Sequence, residues 1–183
     1  MLYSFIGNPQ RVPNMRKEER LARGENNFQK YIIPAVQSEF PGHWHSCNGS
    51  EADMKHGIDY FYTEGQSTKS IAARVWMGIP RQHFAVRWKR ESDLDRPLEV
   101  DSRLDALACG GPMSNITMEG FVYKGRVWVA WIDSLVLWKV IGEHLDELNH
   151  FPIMNEADKT WFKQVPFELL EGHIQKKFIS PLL

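Results

Sequence analysis

The fold is decided by the stretch His56-Gly57-Ile58-Asp59-Tyr60-Phe61-Tyr62, a turn at Thr63-Glu64-Gly65-Gln66, and Lys69-Ser70-Ile71-Ala72-Ala73-Arg74-Val75-Trp76. Two runs rich in β-branched and aromatic residues flank a glycine-containing turn, which predicts a β-hairpin. Because strand side chains alternate between faces, Asp59 shares a face with Phe61, whereas Ala72, Arg74 and Trp76 share a face of the second strand. The hairpin therefore carries one carboxylate and one cation near its centre.

Length and composition predict a single globular domain. The chain has 183 residues, of which 43% are hydrophobic and 25% charged, so it can bury its own core. Residues 1–15 contain two prolines and read as an N-terminal arm, and residues 16–183 read as one domain. The formal net charge of −1 gives no global signature of a nucleic-acid-binding protein, so only local basic patches can argue for that function.

Cysteine content and hydropathy indicate the compartment. Cys47 and Cys109 are the only cysteines, and no apolar run has the length of a membrane span or the pattern of a signal peptide. We therefore expect a reduced, cytoplasmic protein with no membrane association.

The remaining pattern predicts helices packed against a mixed sheet. The predicted elements are an amphipathic helix over 16–40 kinked at Pro34, a polar loop over 41–54, a strand over 83–90, a helix from about Pro97 to Cys109, a second hairpin over 118–132 with a turn at Lys124-Gly125, a helix over 134–148, and a short helix near 167–177. This order favours an α/β class of fold, in the α+β sense of a mixed sheet with helices against it.

Five short runs, taken in order along the chain, carry a resemblance to a known family. They are Gly57-Ile58-Asp59-Tyr60, Ser70-Ile71-x-x-Arg74, Phe84-x-Val86-Arg87, Leu98-Glu99-x-Asp101 and Val127-x-Val129-x-Trp131-Ile132-Asp133. Together they resemble a phage and bacterial group of PD-(D/E)XK nuclease-like proteins, in which a Ser-Ile-Gln-x-Arg-like strand follows the aspartate. The resemblance covers roughly residues 16–170 and implies a restriction-endonuclease-like core.

The resemblance also implies a chemistry. In that family the aspartate and an acid two residues before a lysine bind Mg²⁺ (or Mn²⁺), and the lysine orients or deprotonates the attacking water. Asp59 matches the metal-binding aspartate. Ala72 stands where the second acid belongs and has no side-chain ligand. Arg74 replaces the lysine, and because a guanidinium does not lose its proton in proteins, it suits phosphate contact or charge stabilisation better than a base.

Three explanations fit the alanine at position 72: an acid supplied from elsewhere, a natural pseudo-nuclease, or an alanine introduced to inactivate the enzyme. Glu25, Glu64 and Glu99 are the candidate replacement acids. Glu25 is the first choice as a catalytic and metal-binding residue, because it would resemble the extra helix acid of many such nucleases.

Each candidate also has an ordinary structural interpretation. Asp59 can be a polar residue of a half-exposed strand, Arg74 a salt-bridged strand residue, and Glu25 a solvated helix residue. The densest basic run comprises Arg81, Arg87, Lys89 and Arg90. It fits either DNA phosphate contacts or an edge strand protected by charge.

Other chemistries find little support. The residues His43, His45, Cys47 and His56 match no strong zinc-binding spacing, so ordinary loop histidines are favoured. No phosphate-binding glycine loop and no serine-hydrolase elbow occur.

Two functions remain open from the sequence. One is a metal-dependent DNA endonuclease, or an inactivated form of one. The other is a non-catalytic protein of the same fold that binds nucleic acid or a protein partner, for example as a phage-encoded inhibitor. A homodimer is an expectation by analogy with small nucleases that cut two strands.

Overall fold

A six-stranded mixed sheet forms the centre of the computed structural model, which describes residues 17–47, 50–90, 99–148, 150–153 and 160–181. Its elements are α1 (Lys17–Asn27), a π-helical turn (Phe28–Ile32), α2 (Ile33–Ala35), β1 (His43–Ser46), α3 (Glu51–His56), β2 (Tyr60–Glu64), β3 (Ser67–Met77), β4 (His83–Arg90), α4 (Glu99–Cys109), β5 (Ile116–Tyr123), β6 (Arg126–Asp133), α5 (Ser134–His144), β7 (His150–Ile153), β8 (Thr160–Pro166), a 3₁₀ turn (Phe167–Leu170) and β9 (Ile174–Pro181).

The central sheet has the strand order β1-β2-β3-β5-β6-β9. β3 and β5 run parallel, whereas the other neighbouring pairs are antiparallel. A parallel pair needs a long crossover connection, and here the chain supplies β4 and α4 between β3 and β5. The predicted class, helices packed on a mixed sheet, is therefore confirmed.

The β2–β3 hairpin is also confirmed. Its register pairs Tyr60 with Ile71 and Glu64 with Ser67, and the turn uses Gly65 at a φ of 59°. β3 is much longer than β2, and beyond Ile71, the partner of the first β2 residue, it continues to Met77 without β2 beside it. This unequal length leaves a step in the sheet at Asp59, the residue that precedes β2.

One face of the central sheet packs against the N-terminal helical segment. Phe28, Ile32, Val36 and Phe40 recur every fourth residue and are all buried against the sheet. The predicted helix over 16–40 thus has the right face, but it passes through a π-helical turn before ending near Pro34. Gly120 permits the close approach, because a Cβ there would lie 2.3 Å from Ile32 Cδ1.

The opposite face carries a second core. α4, α5 and a three-stranded sheet of order β4-β8-β7 cover it. β6 serves both cores, since Val129 and Trp131 lie in the first and Ala130 and Ile132 in the second. The sequence prediction of the second hairpin is confirmed, with Lys124 and the residue after it both at positive φ.

Two local contacts fix α5 on this face. The Asp133 carboxylate caps its first turn by accepting hydrogen bonds from the backbone N–H groups of Leu135 and Val136. Lys163 is 5% exposed and donates from Nζ to the carbonyl oxygens of Leu145 and Leu148, beyond the end of the helix.

Parts of the predicted order are wrong. The segment 41–54, predicted as a loop, contains β1 and the start of α3. The helix predicted near 167–177 is a single 3₁₀ turn followed by β9, because Gly172 at a φ of 83° interrupts it and the open edge of β6 accepts a strand. The predicted arm over 1–15 lies outside the described residues. Within them, no helix has the length and apolarity required to cross a membrane.

Candidate functional site

Asp59 lies immediately before the start of β2, beside the longer β3. Its backbone carbonyl accepts from Cys47 N at 2.8 Å, and its N–H donates to Ile71 O at 2.9 Å. Its carboxylate Oδ2 accepts a hydrogen bond from Ala73 N at 2.7 Å. The side chain thus satisfies a backbone N–H of β3 that has no partner in β2. The β2–β3 register ends at the pair Tyr60–Ile71, so the position that the family resemblance reserves for a second acid, Ala72, is the next residue of β3 beyond that pair.

The Asp59 carboxyl resists ionisation. Its pKa is raised to about 6, chiefly by burial and also by the carboxylates of Asp53 and Glu99, against the opposing effects of the Ala73 hydrogen bond and the Arg74 charge. Perturbed carboxyl groups of this kind are enriched at functional sites.

Arg74 is engaged on several sides. Its Nη2 lies 3.2 Å from Glu99 Oε2, its Nη1 donates to Ala85 O, and the same Nη1 lies 4.0 Å from Glu119 Oε1. Although burial disfavours the charged form, these carboxylates outweigh it and raise the pKa of Arg74. The structure thus supports the interpretation of Arg74 as a salt-bridged strand residue.

Glu119 lies in the middle of β5 and is 2% exposed. Its Oε1 accepts from Ala85 N at 2.8 Å, and its Oε2 accepts from Trp76 Nε1 at 3.0 Å, so it joins three strands. Burial raises its pKa to about 7. Arg74 opposes this rise only in part, because its guanidinium lies closer to Glu99.

Glu99 begins α4 and remains acidic. Its Oε2 accepts from Arg87 N at 3.1 Å as well as from Arg74. Burial by itself raises the pKa of Glu99, but the charges of Arg74, Arg87 and Arg103 outweigh it and hold the pKa below its ordinary value. One ionised carboxylate thus lies among three guanidinium groups.

These residues form one unit, which we call the charge cluster: Asp59, Arg74, Arg81, Arg87, Glu99, Arg103 and Glu119. Arg81 belongs to it because its charge acts on Glu119 and its guanidinium lies 4.9 Å from the Trp76 ring centre. Near neutral pH the four arginines are charged, whereas Glu119, with a pKa of about 7, is half protonated. The cluster is therefore net positive and suits an anionic ligand.

The predicted replacement acids are separated by the structure. The Glu25 carboxylate accepts from Gln29 Nε2 at 3.2 Å, and its charge acts on Tyr60, whose side chain lies in the first core. Because neighbouring strand residues face opposite sides, that is the face away from Asp59. Glu64 accepts from Tyr62 Oη at 2.8 Å, also on the side of the first core. Of the three acids, Glu99 is the one brought into the charge cluster.

The predicted DNA-contacting run maps onto β4, which is an edge strand of the three-stranded sheet. This position fits the alternative interpretation of edge protection. Arg81 and Arg87 join the charge cluster, whereas the side chains of Lys89 and Arg90 lie outside the described part of the structure.

In the described part of the histidine-containing segment, the possible metal ligands are not gathered into one group. His43 and His45 are exposed on β1, and Cys47 is buried. Among the described residues, no group of three or more His, Cys, Asp or Glu side chains is arranged to share a metal ion.

Sequence reasoning missed Glu119 and Arg103. Glu119 had a signal, since it is an acid inside an otherwise apolar strand, where an ionisable group needs partners. Arg103 had none, because its position on α4 becomes meaningful only when the helix packs beside the hairpin. Comparisons with known proteins find no matching family model, no similar curated protein and no similar solved structure.

Proposed function

We propose that this chain is a nuclease-like protein that binds nucleic acid through phosphate contacts at the charge cluster and has lost, or does not use, the hydrolytic step. The observation that carries this proposal is the engagement of Arg74 by Glu99, Glu119 and the Ala85 carbonyl. The residue at the lysine position is thus built into a net positive cluster and not held ready as a base.

The fold supports a nuclease-like ancestry. A helix precedes the hairpin, the hairpin carries Asp59 beside the second strand, and a crossover leads to a strand parallel to β3. These features agree with the restriction-endonuclease-like core that the family resemblance implies, and they support a DNA ligand by that route.

The described residues fit a divalent metal poorly. Ala72, the β3 residue that follows the last β2–β3 pair, offers no side-chain oxygen. Glu99 already accepts from Arg74 and from the Arg87 backbone, and a cation there would face three guanidinium groups. The same guanidinium groups would attract an anionic phosphate, because the planar arginine side chain matches phosphate oxygens in geometry and charge.

DNA binding over a salt series tests the proposal. We expect the parent chain to bind duplex or branched DNA with an affinity that falls as salt rises. Arg87→Ala should reduce the salt slope by about one, since one phosphate contact is removed. Arg126→Ala, at the exposed first residue of β6, is the matched control and should keep the parent slope. Absence of binding at low salt would refute the proposal and favour a protein partner.

Metal-dependent endonuclease activity is the second candidate. The observation that favours it is Asp59, whose pKa is raised to about 6 at the position of the metal-binding aspartate. Plasmid nicking in Mg²⁺ or Mn²⁺ by the parent, abolished in Asp59→Ala, would establish this function. If Ala72 is the reason that activity is absent, the parent should not cleave DNA, and Ala72→Glu should gain cleavage that still requires Asp59. Inert, folded parent and Ala72→Glu proteins would remove this candidate.

A further inference from the structure

Arg103 lies beside the opening of the hairpin, in contact with a glycine. An ideal Cβ built on Gly57 would lie 2.1 Å from Arg103 Nη2 and 3.2 Å from Cζ, so the guanidinium occupies space that only glycine leaves open. Gly57 ends α3 at a φ of 57°, which a glycine adopts without strain. The Arg103 guanidinium therefore lies beside Gly57, two residues before Asp59 in the chain.

The Arg103 guanidinium differs from that of Arg74 in its bonding. Within the described part of the chain, Arg103 donates no hydrogen bond and lies in no ion pair, although it is partly buried. Its electrostatic neighbours are Glu99 and Asp59. Glu99 is already paired by Arg74 at 3.2 Å, and Asp59 accepts from Ala73. The Arg103 guanidinium, a planar group with five N–H donors, is thus part of the net positive charge cluster and has its donors available.

We propose that Arg103 binds a phosphate oxyanion at the mouth of the hairpin, and that Gly57 is glycine to give the guanidinium and its ligand room. This inference rests on the proposed function for the source of the phosphate, which is a nucleic-acid phosphodiester. The fork of the guanidinium can donate two parallel hydrogen bonds to one phosphate, which a lysine ammonium cannot reproduce.

The neighbouring carboxyl groups are compatible with an anion. Glu99 is offset by Arg74 and by the Arg87 charge. Asp59 accepts a hydrogen bond from the Ala73 N–H at 2.7 Å, and the charges of Arg74 and Arg103 both offset its carboxylate. The competing arrangement is a rotation of Arg103 into an ion pair with Asp59 or Glu99, and the experiment below separates the two.

The test measures binding of labelled duplex and single-stranded oligonucleotides to the parent, Arg103→Gln, Arg103→Lys and Arg126→Gln over a salt series. We expect Arg103→Gln to weaken binding about tenfold and to lower the salt slope by about one. Arg103→Lys should keep the slope but bind more weakly than the parent, because it loses the fork. Arg126→Gln, which changes the exposed first residue of β6, should match the parent.

A second readout uses inorganic phosphate and a nucleoside monophosphate as probes, with the NMR signal of the Arg103 side-chain Nε–Hε group. A saturable shift of this signal, which is assigned by its loss in Arg103→Lys, supports the site even if Arg103→Gln folds poorly, provided that the Arg126 signal does not shift. Parent-like DNA binding by Arg103→Gln, with no shift of the Arg103 signal, would overturn the inference and leave the proposed function standing. A shift with free phosphate but no DNA binding would keep the site and overturn the nucleic-acid function.

Discussion

Replacing Glu119 with glutamine should change how stability depends on pH. The ordinary pKa of a glutamate is 4.5, whereas burial raises that of Glu119 to about 7 in the folded protein. Because the folded state holds the proton more tightly, the stabilisation is complete below about pH 4.5 and is lost as pH rises through about 7. That difference corresponds to about 3 kcal/mol in the free energy of unfolding.

The comparison of two proteins isolates this contribution. Glu119→Gln removes the titration but keeps the shape, and it loses one of two accepted hydrogen bonds at every pH. Its free energy of unfolding minus that of the parent should therefore rise by about 3 kcal/mol between pH 4 and pH 8. Urea denaturation followed by tryptophan fluorescence measures both proteins, with Glu143→Gln at an exposed position of α5 as the matched carboxylate deletion.

The result that refutes the reasoning is equally specific. A difference that stays constant with pH would mean that folding leaves the Glu119 pKa unchanged. A difference that falls as pH rises would mean that the charge of Arg74 outweighs burial and keeps Glu119 ionised. We do not expect this result, because Arg74 Nη1 lies 4.0 Å from Glu119 and the guanidinium is closer to Glu99.

Four further substitutions have defined outcomes. Gly120→Ala should cost about 1–3 kcal/mol by overpacking, and Ile32→Val should recover part of that cost in a double-mutant cycle; purely additive free energies would contradict the clash. Lys163→Met should cost about 2 kcal/mol in urea denaturation, because charged hydrogen bonds to two carbonyl groups are lost, and an unchanged midpoint would count against them. Asp133→Ala should cost about 1 kcal/mol by removing a helix cap, with Asp133→Asn as the control that retains it. Asp59→Asn should gain stability relative to the parent as pH rises through about 6, since the folded carboxyl has a raised pKa, and a pH-independent difference would disprove this.

The elements predicted from sequence were those with strong local signals. Both hairpins combine alternating strand residues with a glycine turn, and α5 follows an aspartate cap. β1 is only four residues long, most of it is exposed, and it forms by pairing with β2, so no local pattern marks it. β9 is a strand because β6 presents an open edge, which is a tertiary cause that local propensity does not contain.

The candidate site shows the same division. Asp59 and Arg74 could be placed on facing strands because strand periodicity and hairpin register are local properties. The choice of Glu99 over Glu25 depended on which helix packs on which face of the sheet. The position of Glu119 beside Arg74 depended on the parallel pairing of β3 with β5, which joins residues distant in sequence.

The double role of β6 limits how this protein can vary in length. Val129 and Trp131 point to one core, and Ala130 and Ile132 point to the other. One inserted or deleted residue in this strand would send each set to the wrong side of the sheet at once, and no repacking of a single core could compensate. Natural insertions and deletions among homologues should therefore be absent from β6 and should gather in connections such as the turn at Lys124–Gly125.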